Sequence, residues 1–267
     1  MLQLEFTTLQ IAALFCALGA LASILFWFTR KDAVGKASWF ISVIAAVMLT
    51  FSIVVRWINV GHIPYIQIYE TLLFSVWAVM IVAVIADQAV KTRLPSTIAS
   101  ILGTLVLVYI IQFPETAKEG MPLVPALQSP WLDVHIATAF LSYAGLAISA
   151  GASIVYLFKH NEAVDELSYR LVAFAFPLLG LAIILGAVWA HFAWGRYWGW
   201  DPKETASLVT WLLYAGYLHA RLVFGWKGTK ASIFNLIGFI CVLFTWLGLS
   251  LLSKYMEIQS LHVYSGN

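Results

Sequence analysis

Eight apolar stretches limit what this chain can fold into. They cover about residues 8–29, 38–58, 67–90, 95–112, 131–158, 170–190, 203–224 and 231–252. A helix needs roughly 20 apolar residues to cross about 30 Å of hydrocarbon. Backbone groups in lipid must also pair within their own segment. The expected fold class is therefore all-α: a polytopic integral membrane protein of about eight transmembrane helices. Composition agrees. The chain is 62% hydrophobic and 10% charged, with a mean hydropathy of +0.89. Soluble domains run about 45–50% apolar and about 25% charged, so the surplus apolar surface must face lipid. No internal repeat stands out, and residues 1–267 read as a single transmembrane domain.

The basic residues set an orientation. Arg30, Lys31, Lys36, Lys91, Arg93, Lys159, Arg170, Arg221, Lys227 and Lys230 fall on one side of alternating spans. Arg56, Lys118, Arg196, Lys203 and Lys254 fall on the other. Cytoplasmic loops carry the Lys/Arg excess, so ten against five makes the first side cytoplasmic. Both termini are then expected on the outer, non-cytoplasmic side, with segments 57–66, 113–130 and 191–202. The expected location is the cell membrane (plasma or inner), or a thylakoid membrane if the chain is plastid-derived.

Net charge is +2 and the cations are scattered, which argues against nucleic acid as a partner. Cys16 and Cys241 lie alone in apolar runs, without a C-x-x-C pair. They read as small packing residues, not as a redox pair, disulfide or zinc site. The start, "MLQLEFTTLQ", has Glu5 and no basic n-region, unlike a cleaved signal peptide. The spans are nearly free of charge, which argues against a transporter of ions or small solutes.

Between the sixth and seventh spans the chain reads "WGRYWGWDPKET", from Trp194 to Thr205. In "WDPKET", Asp201 has the position of an N-cap, Pro202 the first helical position, and Glu204 the third place after the cap. Glycines at 195 and 199 break any helix through the cluster. Interfacial belts of Trp and Tyr are common, but a belt needs one ring per helix end. Trp194, Tyr197, Trp198 and Trp200 instead crowd one connection. Rings set side by side suit a flat apolar ligand, with Arg196 and Lys203 flanking it to meet carboxylates. Haem has that plane and two propionates; a quinone has the plane without the acids. Asp201 and Glu204 fit helix capping, with acid–base chemistry as the alternative.

Haem iron needs axial ligands, commonly histidine. Six histidines are present. His160 reads as a solvated loop residue, His191 as orienting the aromatic segment or capping its helix, and His62 as part of a turn. His135, one turn into the fifth span, and His262, in the tail, share the expected outer side with the aromatic segment. Each alone fits an ordinary interfacial histidine; together they offer two imidazoles beside a Trp-rich surface. His219 lies roughly 20 Å below the start of the seventh span at 1.5 Å per residue. An ionisable residue at that depth is a functional candidate; a neutral imidazole bonded to a neighbouring helix is the alternative. No second histidine of this chain is expected at its depth, which leaves a ligand from another subunit.

These segments resemble the CcsA/ResC family, the polytopic subunit of the system II cytochrome c synthase, and more broadly the haem-handling proteins with a WWD motif. The resemblance runs through "GHIPYIQIYETLLFSVWA", "LVPALQSPWLDVHIATAFLSYA", the WWD segment at about 191–205, "WLLYAGYLHAR" and "SLHVYSG", in that order. The chain departs from the family's usual pattern at Ile66, Gln67, Ala206 and Val263. The resemblance implies haem b held at the outer face by His135 and His262, with His219 a second, membrane-embedded iron ligand. Trp194, Arg196, Trp198, Trp200 and Asp201 would line the cofactor. It further implies a ResB/CcsB-like membrane partner and an apocytochrome c presenting C-x-x-C-H for thioether attachment. A haem transporter or chaperone without ligation activity is the alternative, as is a membrane regulator of haem synthesis.

Overall fold

The computed structural model describes residues 2–90, 92–113, 120 and 122–249. Eight long helices follow in order: α1 (Leu2–Thr29), α2 (Asp32–Val60), α3 (Ile68–Val90), α4 (Leu94–Ile111), α5 (Pro130–Lys159), α6 (Glu162–Trp194), α7 (Pro202–Leu222) and α8 (Thr229–Leu243). A π-helical turn, Phe244–Gly248, continues α8. No strand occurs among the described residues, and the all-α expectation holds. Seven helices, α8 taken with its π-turn, are long and apolar enough to cross a membrane. α7 is not among them, because Lys203, Glu204, His219 and Arg221 interrupt its apolar run. Large apolar side chains face outward, as at Leu105 (64% exposed), Ile85 (66%) and Ile184 (62%). So much exposed hydrocarbon is a lipid-facing surface, and the chain is a polytopic membrane protein.

The chain divides into two compact units, Met1–Val124 and Pro125–Asn267. In the first, α1 packs on α2 and α4, and α3 packs on α2 and α4, closing a ring of four helices. Small residues let these helices approach. Ser23 and Ser38 hydroxyls meet at 2.6 Å, and a Cβ on Gly103 would lie 3.4 Å from the Cys16 sulfur. Cys16 is fully buried there, as a packing residue. One charged group is sealed inside. Arg56, 1% exposed, donates from Nε to Glu70 (3.0 Å), from Nη1 to Glu5 (3.3 Å) and from Nη2 to the side-chain Oε1 of Gln67 (3.2 Å). Asn59 and Tyr69 also donate to Glu5. That pairing explains why α1 starts before the apolar stretch at 8–29. Glu5 belongs to its first turn, where it reaches Arg56.

In the second unit α5 packs on α6 and α8, and α7 packs on α6 and α8, again closing a ring. α6 begins at Glu162, upstream of the apolar stretch at 170–190, for a similar reason. Its first turns carry Asp165, which takes two hydrogen-bonding contacts from Arg221 of α7 (Nη2–Oδ2 2.7 Å, Nη1–Oδ1 2.9 Å). Asp165 also accepts from the Gly228 amide. Deeper in this unit Asn235 of α8 donates to Ser149 (2.8 Å), Ser153 (2.9 Å) and Ser168 (3.1 Å). Polar bonds of this kind join helices where the apolar surroundings give no preference between protein and lipid.

Removing one partner from a buried ion group leaves the others charged and unpaired, at a cost of about 3–5 kcal/mol. Arg56→Leu would strand Glu5 and Glu70. We expect a much lower melting temperature in detergent than for a surface control such as Arg170→Leu, whose pair with Glu166 is exposed.

Candidate functional site

The aromatic segment lies in the second unit, between α6 and α7. α6 ends at Trp194 because Gly195 turns left-handed (φ 74°), its amide donating to the His191 carbonyl at 2.9 Å. α7 starts at Pro202 with Asp201 as its cap, and the reciprocal capping box is complete. The Lys203 amide donates to Asp201 Oδ1 at 2.8 Å. Glu204 Oε2 accepts from the amides of Gly199 (2.8 Å) and Asp201 (3.1 Å). These carboxylates therefore act as helix caps, and they also pin the loop ahead of the helix. Ser129 occupies the cap position of α5, with Pro130 following, but its hydroxyl makes no cap bond.

With the backbone so held, the rings turn outward. Trp200 is 70% exposed and has a left-handed backbone (φ 57°). Trp198 and Trp200 meet edge to face, with centroids 5.7 Å apart and planes at 89°. They form two walls of a corner, not the side-by-side surface expected from the glycine spacing. Trp194 packs edge-on against the buried Trp189 at 4.8 Å. Trp189 in turn donates to the Ala126 carbonyl at 2.9 Å, tying the 3₁₀ turn Pro125–Leu127 to α6. The Arg196 guanidinium lies over Gly199, where any Cβ would come within 2.7 Å of it. The absence of a side chain at Gly199 leaves room for that close approach.

His135 is on the second turn of α5 and faces α6. Its Nδ1 lies 2.7 Å from the Ala182 carbonyl oxygen. A carbonyl only accepts, so Nδ1 carries the proton, and in the neutral ring Nε2 then keeps its lone pair. Gly186 makes the approach possible, since a Cβ there would sit 2.9 Å from both Cε1 and Nδ1 of the ring. A neutral imidazole fixed through Nδ1 is the state in which histidine ligates a metal through Nε2. Sequence reading found His135 but missed Ala182 and Gly186, which set its tautomer and position. The available signal was a glycine inside the otherwise bulky run "LAIILGAVWA".

The other histidines differ. His191 stacks on Tyr197 with centroids 4.3 Å apart and planes at 3°, so it orients the aromatic segment. The His62 Nδ1 donates to the Ile63 carbonyl at 3.0 Å, within a turn. His160 ends α5 in a left-handed conformation (φ 48°), exposed. His219 is exposed on α7, edge-on to Phe224 at 5.2 Å. No described residue hydrogen-bonds its ring. His262 lies outside the described residues. No cluster of three His, Cys, Asp or Glu side chains able to hold a bare metal ion occurs among the described residues.

Residues 65–257 match the family model described as cytochrome C assembly protein. The chain belongs to that family. Relatives named cytochrome c biogenesis protein CcsA share its sequence over most of its length. The one from Chlamydomonas reinhardtii is 37% identical over 238 residues, 83% of this chain and 66% of the relative. That from Guillardia theta is 35% identical, covering 80% and 82%. That from Gloeobacter violaceus is 32% identical, covering 96% of each. Among solved structures, the cytochrome c heme lyase CcmF superposes with a TM-score of 0.68 at 17% identity, over 96% of this chain and 49% of that one. At that identity the likeness is one of fold. This family member spans about half of the heme lyase chain.

Glu204→Ala removes the acceptor shared by the Gly199 and Asp201 amides. A lost cap costs typically about 1 kcal/mol. Hydrogen exchange should accelerate at Gly199, at Asp201 and in the first turn of α7, while the α6 amides below His191 keep wild-type protection.

Proposed function

We propose that this chain is the haem-binding membrane subunit of a system II cytochrome c synthase, which presents haem b for thioether attachment to apocytochrome c. Family membership and the names of the relatives support a role in cytochrome c biogenesis. The observation that carries the finer reading is His135. Its Nδ1 is tied to the Ala182 carbonyl, which sets the ring's position, at the end of α5 that belongs to the same unit as the Trp198–Trp200 corner. The exposed Trp200 indole, the half-buried Trp198 and the Arg196 guanidinium supply apolar walls and a cation for an amphipathic macrocycle.

In this reading the chain supplies no nucleophile. The C-x-x-C-H segment of the acceptor brings the two thiols, and each S–H adds across one haem vinyl group. What this chain does is position. His135 and, from the tail, His262 fix the height of the ring, while Trp194, Trp198 and Trp200 fix its plane. Such positioning is worth about 7–11 kcal/mol at best. Asp201 acts indirectly, by capping α7 and holding the segment. His219, exposed and without a hydrogen-bond partner, serves a second site completed by a ResB/CcsB-like membrane protein. The charge bias of the loops supports placing the aromatic segment on the outer side of the membrane.

The test is an absorbance spectrum of the detergent-purified chain, alone and coexpressed with its partner, followed by supply of an apocytochrome. A bis-histidine spectrum and covalent haem on the acceptor are expected. A haem spectrum without covalent product would favour a transporter or chaperone, and absence of haem would favour a regulatory role. His135→Ala and His262→Ala should each lower haem occupancy, with partial recovery in added imidazole. Gly186→Ala should do the same although it removes no ligand, because its methyl displaces the His135 ring. An unchanged spectrum in all three would refute the ligand assignment. His219→Ala should deplete haem only when the partner is present.

A further inference from the structure

The connection after α7 differs from the other exposed connections in what it shows. Residues 28–33 and 158–163 are exposed throughout, and each run carries one large apolar side chain, Phe28 and Phe158. Residues 222–227 are exposed as well, yet four of the six are large and apolar: Leu222, Val223, Phe224 and Trp226. No helix face accounts for the run, because α7 ends at Leu222. Nor is its backbone unsupported. The Trp226 amide donates to the Ala220 carbonyl at 3.0 Å, across a left-handed Gly225 (φ 66°). Arg221, paired with Asp165, donates to the Trp226 carbonyl at 3.4 Å. The result is a fixed knuckle with its apolar side chains outward.

Two cations border it. Lys227 and Lys230 are exposed, and neither makes an ion pair with a described residue. The Lys230 ammonium lies 6.0 Å from the centroid of the Trp226 ring, so charge and indole share one surface. Lys230 also stands in the first turn of α8, where the helix dipole disfavours a cation and no acid compensates it. Asp165 and Glu166 are engaged by Arg221 and Arg170. An apolar knuckle edged by unpaired lysines complements a molecule with hydrocarbon at one end and an anion at the other.

We propose that residues 222–230 are a docking surface for an anionic phospholipid: Leu222, Val223 and Phe224 meet its acyl chains, and Lys227 and Lys230 meet its headgroup phosphate. α7 is not among the helices apolar enough to cross a membrane, so its depth depends on contacts at its ends. Its last turn carries His219. The His219 carbonyl accepts from the Val223 amide at 2.8 Å, and its ring meets Phe224 edge to face. A lipid held on the knuckle therefore fixes the depth of that turn in the bilayer. This surface stands whether or not the chain binds haem.

The experiment titrates the full chain in detergent with phosphatidylglycerol, and with phosphatidylcholine of the same acyl chains, whose choline cancels the phosphate charge. Bound lipid is counted by native mass spectrometry. A lysine near an anionic headgroup contributes about fivefold in affinity, so wild type should prefer phosphatidylglycerol by about tenfold or more. Lys227→Gln and Lys230→Gln should each weaken phosphatidylglycerol about fivefold and leave phosphatidylcholine unchanged. Phe224→Ser should weaken both lipids. A control pair of exposed cations in the first unit, Lys31→Gln with Lys36→Gln, should change neither. Equal binding of the two lipids by wild type overturns the proposal. So does phosphatidylglycerol binding that survives Lys227→Gln with Lys230→Gln, or an equal loss in the control pair, which would report general surface charge. Glycerol phosphate that competes as well as the whole lipid would make this a site for a soluble phosphate and overturn it too.

Discussion

A helix end leaves its first amides and last carbonyls without partners in the helix, so a short connection between two helices holds its shape only if those groups are satisfied. The break between α6 and α7 does this with side chains and a left-handed turn. Gly195 returns its amide to the end of α6, and Glu204 reaches back from α7 to take two more. The loop is thereby fixed at both ends while its rings remain free to face outward. This is why a segment so rich in glycine and tryptophan need not be floppy. Its capping acids are structural, and the chemistry they permit is the placement of indoles and cations. An acid–base role for Glu204 would require it to abandon two backbone amides.

The same rule governs the charges inside each unit. Arg56 sits among two carboxylates, an amide and a phenol. Arg221 and Asp165 meet with two contacts across α6 and α7. Both groups lie where an apolar stretch was too short to account for the whole helix, so the ion group extends the helix past its greasy span.

Much of the fold was legible because hydropathy and punctuation report local physics. The apolar stretches located all eight helices, and Gly195 and the D-P-x-E run located the break. Three features were not legible, two of them because they depend on what two helices bring together. The early starts of α1 and α6 follow from partners far along the chain, Arg56 and Arg221. The perpendicular setting of Trp198 and Trp200 follows from the left-handed backbone at Trp200, which ring spacing does not reveal. The neutral tautomer of His135 follows from a carbonyl on α6 that no motif marks. His135 was found by its residue type; what makes it competent was hidden in Ala182 and Gly186.

His135 and His219 differ in how the fold holds their rings. An imidazole becomes a dependable ligand when its other nitrogen is held, because that fixes both the proton and the ring plane. His135 has this from its own bundle, through a 2.7 Å bond. His219 has only an edge contact with Phe224 and no hydrogen bond from the described residues. Left alone in lipid, such a ring turns about two side-chain bonds and changes tautomer freely, so its affinity for a metal falls by the share of time spent wrongly posed. A second protein packed against α7 would supply both the missing acceptor and the opposite ligand. The asymmetry between the two histidines is therefore what a subunit built to work in a complex would be expected to have.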